Sequence, residues 1–415
     1  MVFPAVAAGH RATAAAGAEI LDFFVAVPGL GALPREAELL RLEVPFGAEL
    51  VHYAVGAASC GVPGVPAGLE ALHARGSLPW ERLVAPALRL ACEGVEMPPA
   101  HVACLRMLEP VMTMDAGARI YAPGGRLIEP GGRLEQPGLV RMLELLAAEG
   151  PQTFYEGTVA AELLALMEER GGLVTAEDLR AYRVLRASPR EASYAGRRIL
   201  ARSGLNSIFP SLAALPPLDG FSAGRRAVAL ATALGTADAR GDTTNLAVAD
   251  AEGNVCVVTT SLGLGSGDFL PGLDVHLNSM LGEADLVVGP LEPGSRMPSM
   301  MAPTLVLAGD VLELAIGSAG GTRLRSAMVQ VLAGILDEGL GVQEAISRPR
   351  LHPAGQLVHL EPGHPPEVKA ELSEAGYEVR EWPALHHYFG GVSAVGAAGA
   401  GADPRRDGYA VALGP

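Results

Sequence analysis

Residues 241 to 263 read GDTTNLAVADAEGNVCVVTTSLG, and no other segment constrains the fold as tightly. Thr244 to Asp250 and Val255 to Ser261 are β-branched or alternating runs, with turn chemistry in AEGN, residues 251 to 254, between them. This pattern predicts a hairpin, and a lone hairpin is marginal in water until a further apolar face covers it. Residues 301 to 314 repeat the pattern with Gly309-Asp310 at the turn, and GSAGG from Gly317 ends a strand ahead of a long helix, Leu324 to Asp337. The 49% apolar content fills a sizeable core, and at 5% aromatic that core must be mostly Ala, Leu and Val. The 52 glycines and 32 prolines suit a loop-rich α/β protein better than a helical bundle.

Upstream the chain reads as helices punctuated by turns. A short helix follows the Gly and Pro turns from Gly61, and Leu83 to Cys92 forms another. Pro137 opens a helix that stops at Gly150, and Thr158 to Arg170 is helical with Gly171-Gly172 as its stop. Thr175 and Asp178 form an acidic variant of the capping box for a helix through Tyr182. Val342 to Ser347 is a further helix, and Tyr409 to Leu413 reads as a last strand. Residues 208 to 242, rich in Ala, Pro and Gly, read as an exposed connector. Helices, then hairpins, then helices again suggest stacked sheets between helical layers, a mixed α/β (α+β) fold.

The formal charge of −15 argues against nucleic acid, whose phosphates call for a basic surface. The cysteines Cys60, Cys92, Cys104 and Cys256 have neither metal-site nor redox spacing, and His386-His387 lacks the spacing of a helical metal site. We expect no metal and no cofactor. No apolar run reaches the ~18 residues of a membrane span, and the first residues lack a charged n-region followed by a long apolar h-region. Taken literally, the start implies the cytoplasm. A longer natural start would redirect the protein to the periplasm or outside the cell.

By itself a Thr-Thr pair opening a strand is what β-propensity delivers. In its setting, however, 241–263 resembles the start of the small subunit of γ-glutamyltranspeptidases, members of the N-terminal nucleophile hydrolases. There a Thr-Thr-His run opens a strand, an Asp-x-x-Gly-Asn turn follows, and the second strand ends in Thr-x-Thr-Leu-Asn. Thr243, Thr244, Asp250, Gly253, Asn254, Thr259 and Leu262 match. GSAGGTR from Gly317 resembles the family's Gly-Ser-Pro-Gly-Gly-x-Arg loop, PSMMAPTLVL from Pro298 its Leu-Ser-Ser-Met-Ser-Pro-Thr strand, and GLGVQEAISRPRLH its helix and Pro-Arg-x-His segment. GVPGVPAGLEAL, FYEGTVAAEL and GGLVTAEDLRAY also have counterparts, in family order.

The resemblance implies a four-layer αββα sandwich and self-cleavage between Asp242 and Thr243. Residues 1–242 and 243–415 would then stay associated as large and small subunits of one domain. It makes Thr243 the nucleophile, activated by its own α-amine. An α-amine exists there only after the cut, and its pKa of about 7.7–8.0 suits a base near neutral pH. Ser261 aligns with the hydroxyl that holds this amine. Gly320 and Gly321 would supply backbone N–H groups to the oxyanion, each such donor typically worth ~10²–10³ in rate.

The substrate pocket departs from the family. Phe24, in LDFFVAVPG, stands where an Arg binds the glutamyl α-carboxylate; Ser299 keeps one of two adjacent serines, and Met300 replaces the other. The family's amine-holding Asn, Gln and Asp align with Gly263, Met280 and Glu283, of which only Glu283 keeps a charge. Only 21 residues precede Asp22, with no Gly-rich run among them, and the stretch from Ser203-Gly204 to Thr243 is much shorter than the family's. The expected protein is therefore an autoprocessed Thr amidohydrolase or acyltransferase acting on γ-glutamyl or related amides. Its rivals are an amidase of the cephalosporin-acylase type, with a less polar acyl group, and an unprocessed, inactive homologue.

Overall fold

The computed structural model describes residues 18–32, 39–46, 49–235, 243–321 and 323–412. They divide into two compact units, one dominated by helices (residues 20–187 and 261–298) and one built on a sheet (residues 188–260 and 299–415).

The sheet unit carries a six-stranded antiparallel sheet in the order Gly399–Ala402, Gly391–Gly396, Val311–Ala319, Thr304–Ala308, Arg197–Ala201, Arg190–Tyr194. Side chains alternate across a sheet with period two, so register decides which residues share a face. Ile316 pairs with Ala394 and with Thr304, and Leu314 with Val306. Leu314, Ile316, Val306, Ile199, Val392 and Ala394 all enter one core with the helices Ile208–Ala214, Ala223–Leu234, Arg323–Leu336 and Val342–Ser347. Each such Leu, Ile or Val, taken fully from water, stabilises the fold by about 1.5–3 kcal/mol.

The opposite face carries small residues at the odd positions Ala315, Gly317 and Ala319, and Gly317 pairs with Ser393. On this face lies the predicted hairpin, Thr244–Ala249 against Val255–Thr260 in unbroken register from Thr244↔Thr260 to Ala249↔Val255. Its turn is fixed locally. Asn254 N–H and Nδ2 donate to the two Asp250 carboxylate oxygens at 2.8 and 2.7 Å, and Gly253 takes φ +86°. Asp250, Gly253 and Asn254 therefore match the family pattern because they make this turn.

Helix Arg323–Leu336 is buried almost all round, as a helix between other elements must be. Its Arg325 donates to Leu234 O at 2.6 Å, satisfying a carbonyl at the C-terminus of helix Ala223–Leu234. A buried ionic cluster braces the strand Gly391–Gly396. Arg350 Nη2 meets Asp403 at 2.5 Å, Arg405 Nη2 meets Glu361 at 2.5 Å, and Asp403 Oδ2 also accepts from Val392 N–H. Arg350 Nη1 donates to Phe389 O and Gly390 O at 3.1 and 3.2 Å.

Two readings of the chain are corrected here. The stretch 208–234 is not an exposed connector: it forms two helices, and Ile208, Leu212, Leu218, Ala231 and Leu234 are buried in the sheet core. Its alanines pack helices closely, and its Pro216-Pro217 and Gly220 only separate them; residues 236–242 lie outside the described set. The last strand is Gly399–Ala402; residues 409–412 form none, with Tyr409 88% exposed, and Leu413 lies outside the described set.

In the helical unit, Val65–His73, Trp80–Glu93, Pro137–Glu149, Thr158–Glu169 and Ala176–Ala181 form where the sequence places them. Leu143, Val159, Leu163 and Leu179 lie at the centre of their core. The capping box is real: Asp178 N–H donates to Thr175 Oγ1 at 3.1 Å, and Thr175 N–H to Asp178 Oδ2 at 2.8 Å. The same carboxylate accepts from Gly29 and Leu30 N–H at 2.9 Å each, which anchors the segment that follows Phe24.

Candidate functional site

Thr243 is buried and stands immediately before Thr244, the first paired residue of the hairpin. Asp242, the other half of the expected scissile bond, lies outside the described residues. Asn245 occupies the position of the family's His, and the sequence reading passed over it. Its Oδ1 accepts from Thr259 Oγ1 at 2.8 Å and its Nδ2 donates to Ser393 Oγ. A Cβ placed on Gly317 would collide with the Asn245 amide. Thus the first glycine of GSAGG is needed to receive Asn245, and one side chain ties strand Thr244–Ala249 to strands Val311–Ala319 and Gly391–Gly396. No pattern in the sequence pairs positions so far apart, so only the fold reveals this contact.

Gly320 and Gly321 sit just beyond the same strand with φ +120° and +59°, conformations that other residues adopt only under strain. A Cβ at Gly320 would lie 2.7 Å from Gly390 Cα, the backbone that Arg350 grips from the buried ionic cluster. Their carbonyls accept from Arg323 and Leu324 N–H at 3.1 Å each, which sets the turn at the helix entrance. Thr322, between the glycines and that helix, is outside the described residues.

Ser299 and Met300 belong to the same unit and both are buried. Ser299 Oγ accepts from Met301 N–H at 3.1 Å, and Ser299 O accepts from Leu205 N–H at 3.0 Å and Arg202 Nη1 at 3.2 Å. Arg202, next to the shortened stretch that begins at Ser203-Gly204, is a cation that sequence reasoning passed over.

The helical unit holds the remaining candidates. Ser261 Oγ accepts from Gly263 N–H at 3.1 Å. Gly263, at φ +70°, lies against Glu283 and Ser279. A Cβ there would come within 2.6 Å of both Glu283 Oε1 and Ser279 Oγ. An Asn like the family's would not fit at this position unless those side chains moved. Glu283 is 4% exposed and Met280 1%. Asn278 fixes the turn before Met280: its amide group exchanges hydrogen bonds with Gly61 N–H and O at 2.9 Å each and accepts from Met280 N–H at 3.3 Å.

Phe24 is buried, and its carbonyl accepts from Tyr182 Oη at 2.7 Å and from Arg296 Nη1. Arg296 is engaged locally. Its other donors meet Tyr182 Oη and Arg183 O at 2.6 Å, and Asp22 lies 3.5 Å from its Nε. Among the described residues no group of three or more His, Cys, Asp or Glu side chains is arranged to hold a metal ion, and no helix is long and apolar enough to cross a membrane.

Comparison with known proteins agrees with this framework. The family model described as gamma-glutamyltranspeptidase matches residues 32–233 and 223–413. The chain belongs to the γ-glutamyltranspeptidase family of N-terminal nucleophile hydrolases. It is 28% identical to the Acylase ACY 1 proenzyme of Pseudomonas sp. (strain V22), over 82% of this chain and 72% of that one. It is 26% identical to the glutathione hydrolase proenzyme of Escherichia coli (strain K12), over 77% and 69%. In structure it resembles the cephalosporin acylase from Bacillus halodurans, with a TM-score of 0.76 at 23% identity, covering 95% of this chain and 84% of that one.

Proposed function

We propose that the protein is an autoprocessed amidohydrolase or acyltransferase that cuts its own chain before Thr243 and uses the new N-terminal Thr as nucleophile. The observation that carries the reading is the seat of the hairpin. Thr243 is buried at the head of a strand that Asn245 joins to the strand leading into Gly320-Gly321. In this reading the hairpin and the six-stranded sheet are the two inner layers of an αββα sandwich. Residues 1–242 and 243–415 become its subunits, Ser261 holds the α-amine, and Gly320 and Gly321 face the oxyanion. Attack of Thr243 Oγ on a substrate amide forms an acyl ester and releases the amine. Water or a second amine then takes the acyl group. The proenzyme names of both relatives favour the cut; the acylase among them and the apolar side chains of Phe24, Met280 and Met300 favour a less polar acyl group than γ-glutamyl.

The purified protein should run as two bands on a denaturing gel, the smaller beginning Thr-Thr-Asn. A folded chain that stays at full length for days overturns the proposal and leaves the inactive homologue.

A second expectation concerns Asn245. Asn245→Ala removes two side-chain hydrogen bonds and loosens the strand that carries Thr243. Misplacement of a reacting group by about 1 Å costs ~10²-fold in rate. Self-cleavage and kcat should fall by about 10- to 100-fold with KM little changed, and Asn245→His, the family's residue, should recover part of the loss. Equal rates in wild type and Asn245→Ala would show that Asn245 only packs.

A further inference from the structure

In the helical unit the chain from Ser261 to Glu283 doubles back on itself. Ser266 N–H donates to Leu277 O, Leu277 N–H to Asp268 O, Leu270 N–H to Val275 O and Ser279 N–H to Leu262 O, at 2.9–3.0 Å. At the centre a side chain joins the two limbs: Gly267 N–H donates to His276 Nε2 at 2.9 Å. A ring nitrogen that accepts a hydrogen bond carries no proton, so the imidazole is neutral with its hydrogen on Nδ1. Gly265 admits the ring. It takes φ +89°, and a Cβ there would lie 2.0 Å from His276 Cε1. Phe269 stacks on the imidazole, with ring centroids 4.2 Å apart and 14° between the planes.

The candidate pocket residues stand at the two ends of this loop. Gly263 opens one limb, Met280 and Glu283 follow the other, and Gly263 lies against Glu283 and Ser279. We propose that His276 is a positioning residue whose neutral ring clasps the two limbs and so holds Gly263 against Glu283, and that a proton on Nε2 opens the clasp. Protonated Nε2 would set a donor against the Gly267 N–H and place a charge in an enclosed site, both unfavourable. Burial alone pulls the imidazole down to about 4, while the part of the ring that stays accessible gives the proton a route. The other titratable groups around the loop do not mimic this. Tyr121, on helix Ala116–Tyr121 beside Phe269, is pushed up to about 12 and stays neutral. Asp274 meets Arg119 at 2.5 Å. Asp268 lies 4.0 Å from Arg170, which also holds Asp115 at 2.8 Å. Burial raises the Asp268 carboxyl, so its protonation favours the closed loop, the opposite sense to His276.

The test is amide hydrogen exchange of the purified full chain between pH 7.5 and 5, corrected for the intrinsic pH dependence of exchange. The open loop takes up the proton near the ordinary histidine value of about 6.5, the closed loop only near 4. Closure is therefore fully favoured above 6.5 and is lost as the pH falls toward 4. Protection of residues 262–279 should drop about 10- to 30-fold between pH 7.5 and 5, and that of helix Thr158–Glu169 in the same unit much less. His276→Gln keeps an acceptor for Gly267 N–H but does not titrate, so its loop should stay protected at both pH values. His276→Leu should be loose at both. Equal loss in loop and control helix of the wild type overturns the proposal, and this comparison needs no variant to fold. The same acid loss in His276→Gln also overturns it. The consequence for turnover rests on the function proposed above: KM for an anilide substrate should rise along the same acid limb in the wild type and not in His276→Gln. Exchange needs no activity, so a protein that proves uncut and inactive still tests the clasp.

Discussion

Thr243→Ala is expected to leave the protein folded, uncut and without turnover. The hydroxyl is the only group in the proposed reaction that forms a covalent bond to the substrate. A nucleophile removed in this way costs at least ~10³-fold in rate. Thr243→Ser keeps the hydroxyl and should still cut. Ser261→Ala removes the hydroxyl to which the proposal assigns the holding of the amine, and should slow both reactions without unfolding the protein. Intact mass of each variant after purification decides the matter. Cleavage of Thr243→Ala at the same bond would show that the nucleophile is misassigned.

The second large effect concerns the acyl donor. On the processed protein, kcat/KM for a γ-glutamyl anilide should lie about 10²–10³-fold below that for simple aliphatic anilides, because a carboxylate desolvated without its Arg costs roughly 3–5 kcal/mol. Phe24, Met280 and Met300 offer such a group no hydrogen bond from their side chains, and Gly263 cannot become the family's Asn while Glu283 and Ser279 hold their places. Arg202, beside Ser299, is the cation that would reverse this result. Efficient γ-glutamyl or glutaryl turnover that disappears in Arg202→Gln would assign it the role of the missing Arg.

Much of the fold was legible because its signals are local. The Asp250, Gly253 and Asn254 turn, the Thr175–Asp178 capping box and the helix bounded by Pro137 and Gly150 each depend on residues a few positions apart, and the structure shows all three. The segment 208–234 misled because Ala, Pro and Gly carry weak periodicity; only the helices around it show that those alanines are core. At the candidate site, GSAGG was visible as a motif, but its first glycine was not distinguishable from a plain turn residue. The reason for Gly317 lies in Asn245, seventy-two positions earlier. Arg202 escaped notice because its neighbour Ser299 is still more remote, ninety-seven positions later.

The six-stranded sheet has a seam. Arg197–Ala201, from before Thr243, pairs with Thr304–Ala308, from after it, through Ala201↔Thr304, Leu200↔Leu305, Ile199↔Val306 and Arg198↔Leu307. In an uncut chain, opening this seam is one molecule changing shape, and its equilibrium is indifferent to dilution. Once the backbone is cut before Thr243, the same event releases two molecules. Stability then depends on protein concentration, as it does for an obligate dimer. Refolding becomes an encounter rather than a rearrangement. The cut would thus turn a reversible fold into one maintained by the slowness of its opening, and each molecule would have a single opportunity to assemble correctly: before it is processed.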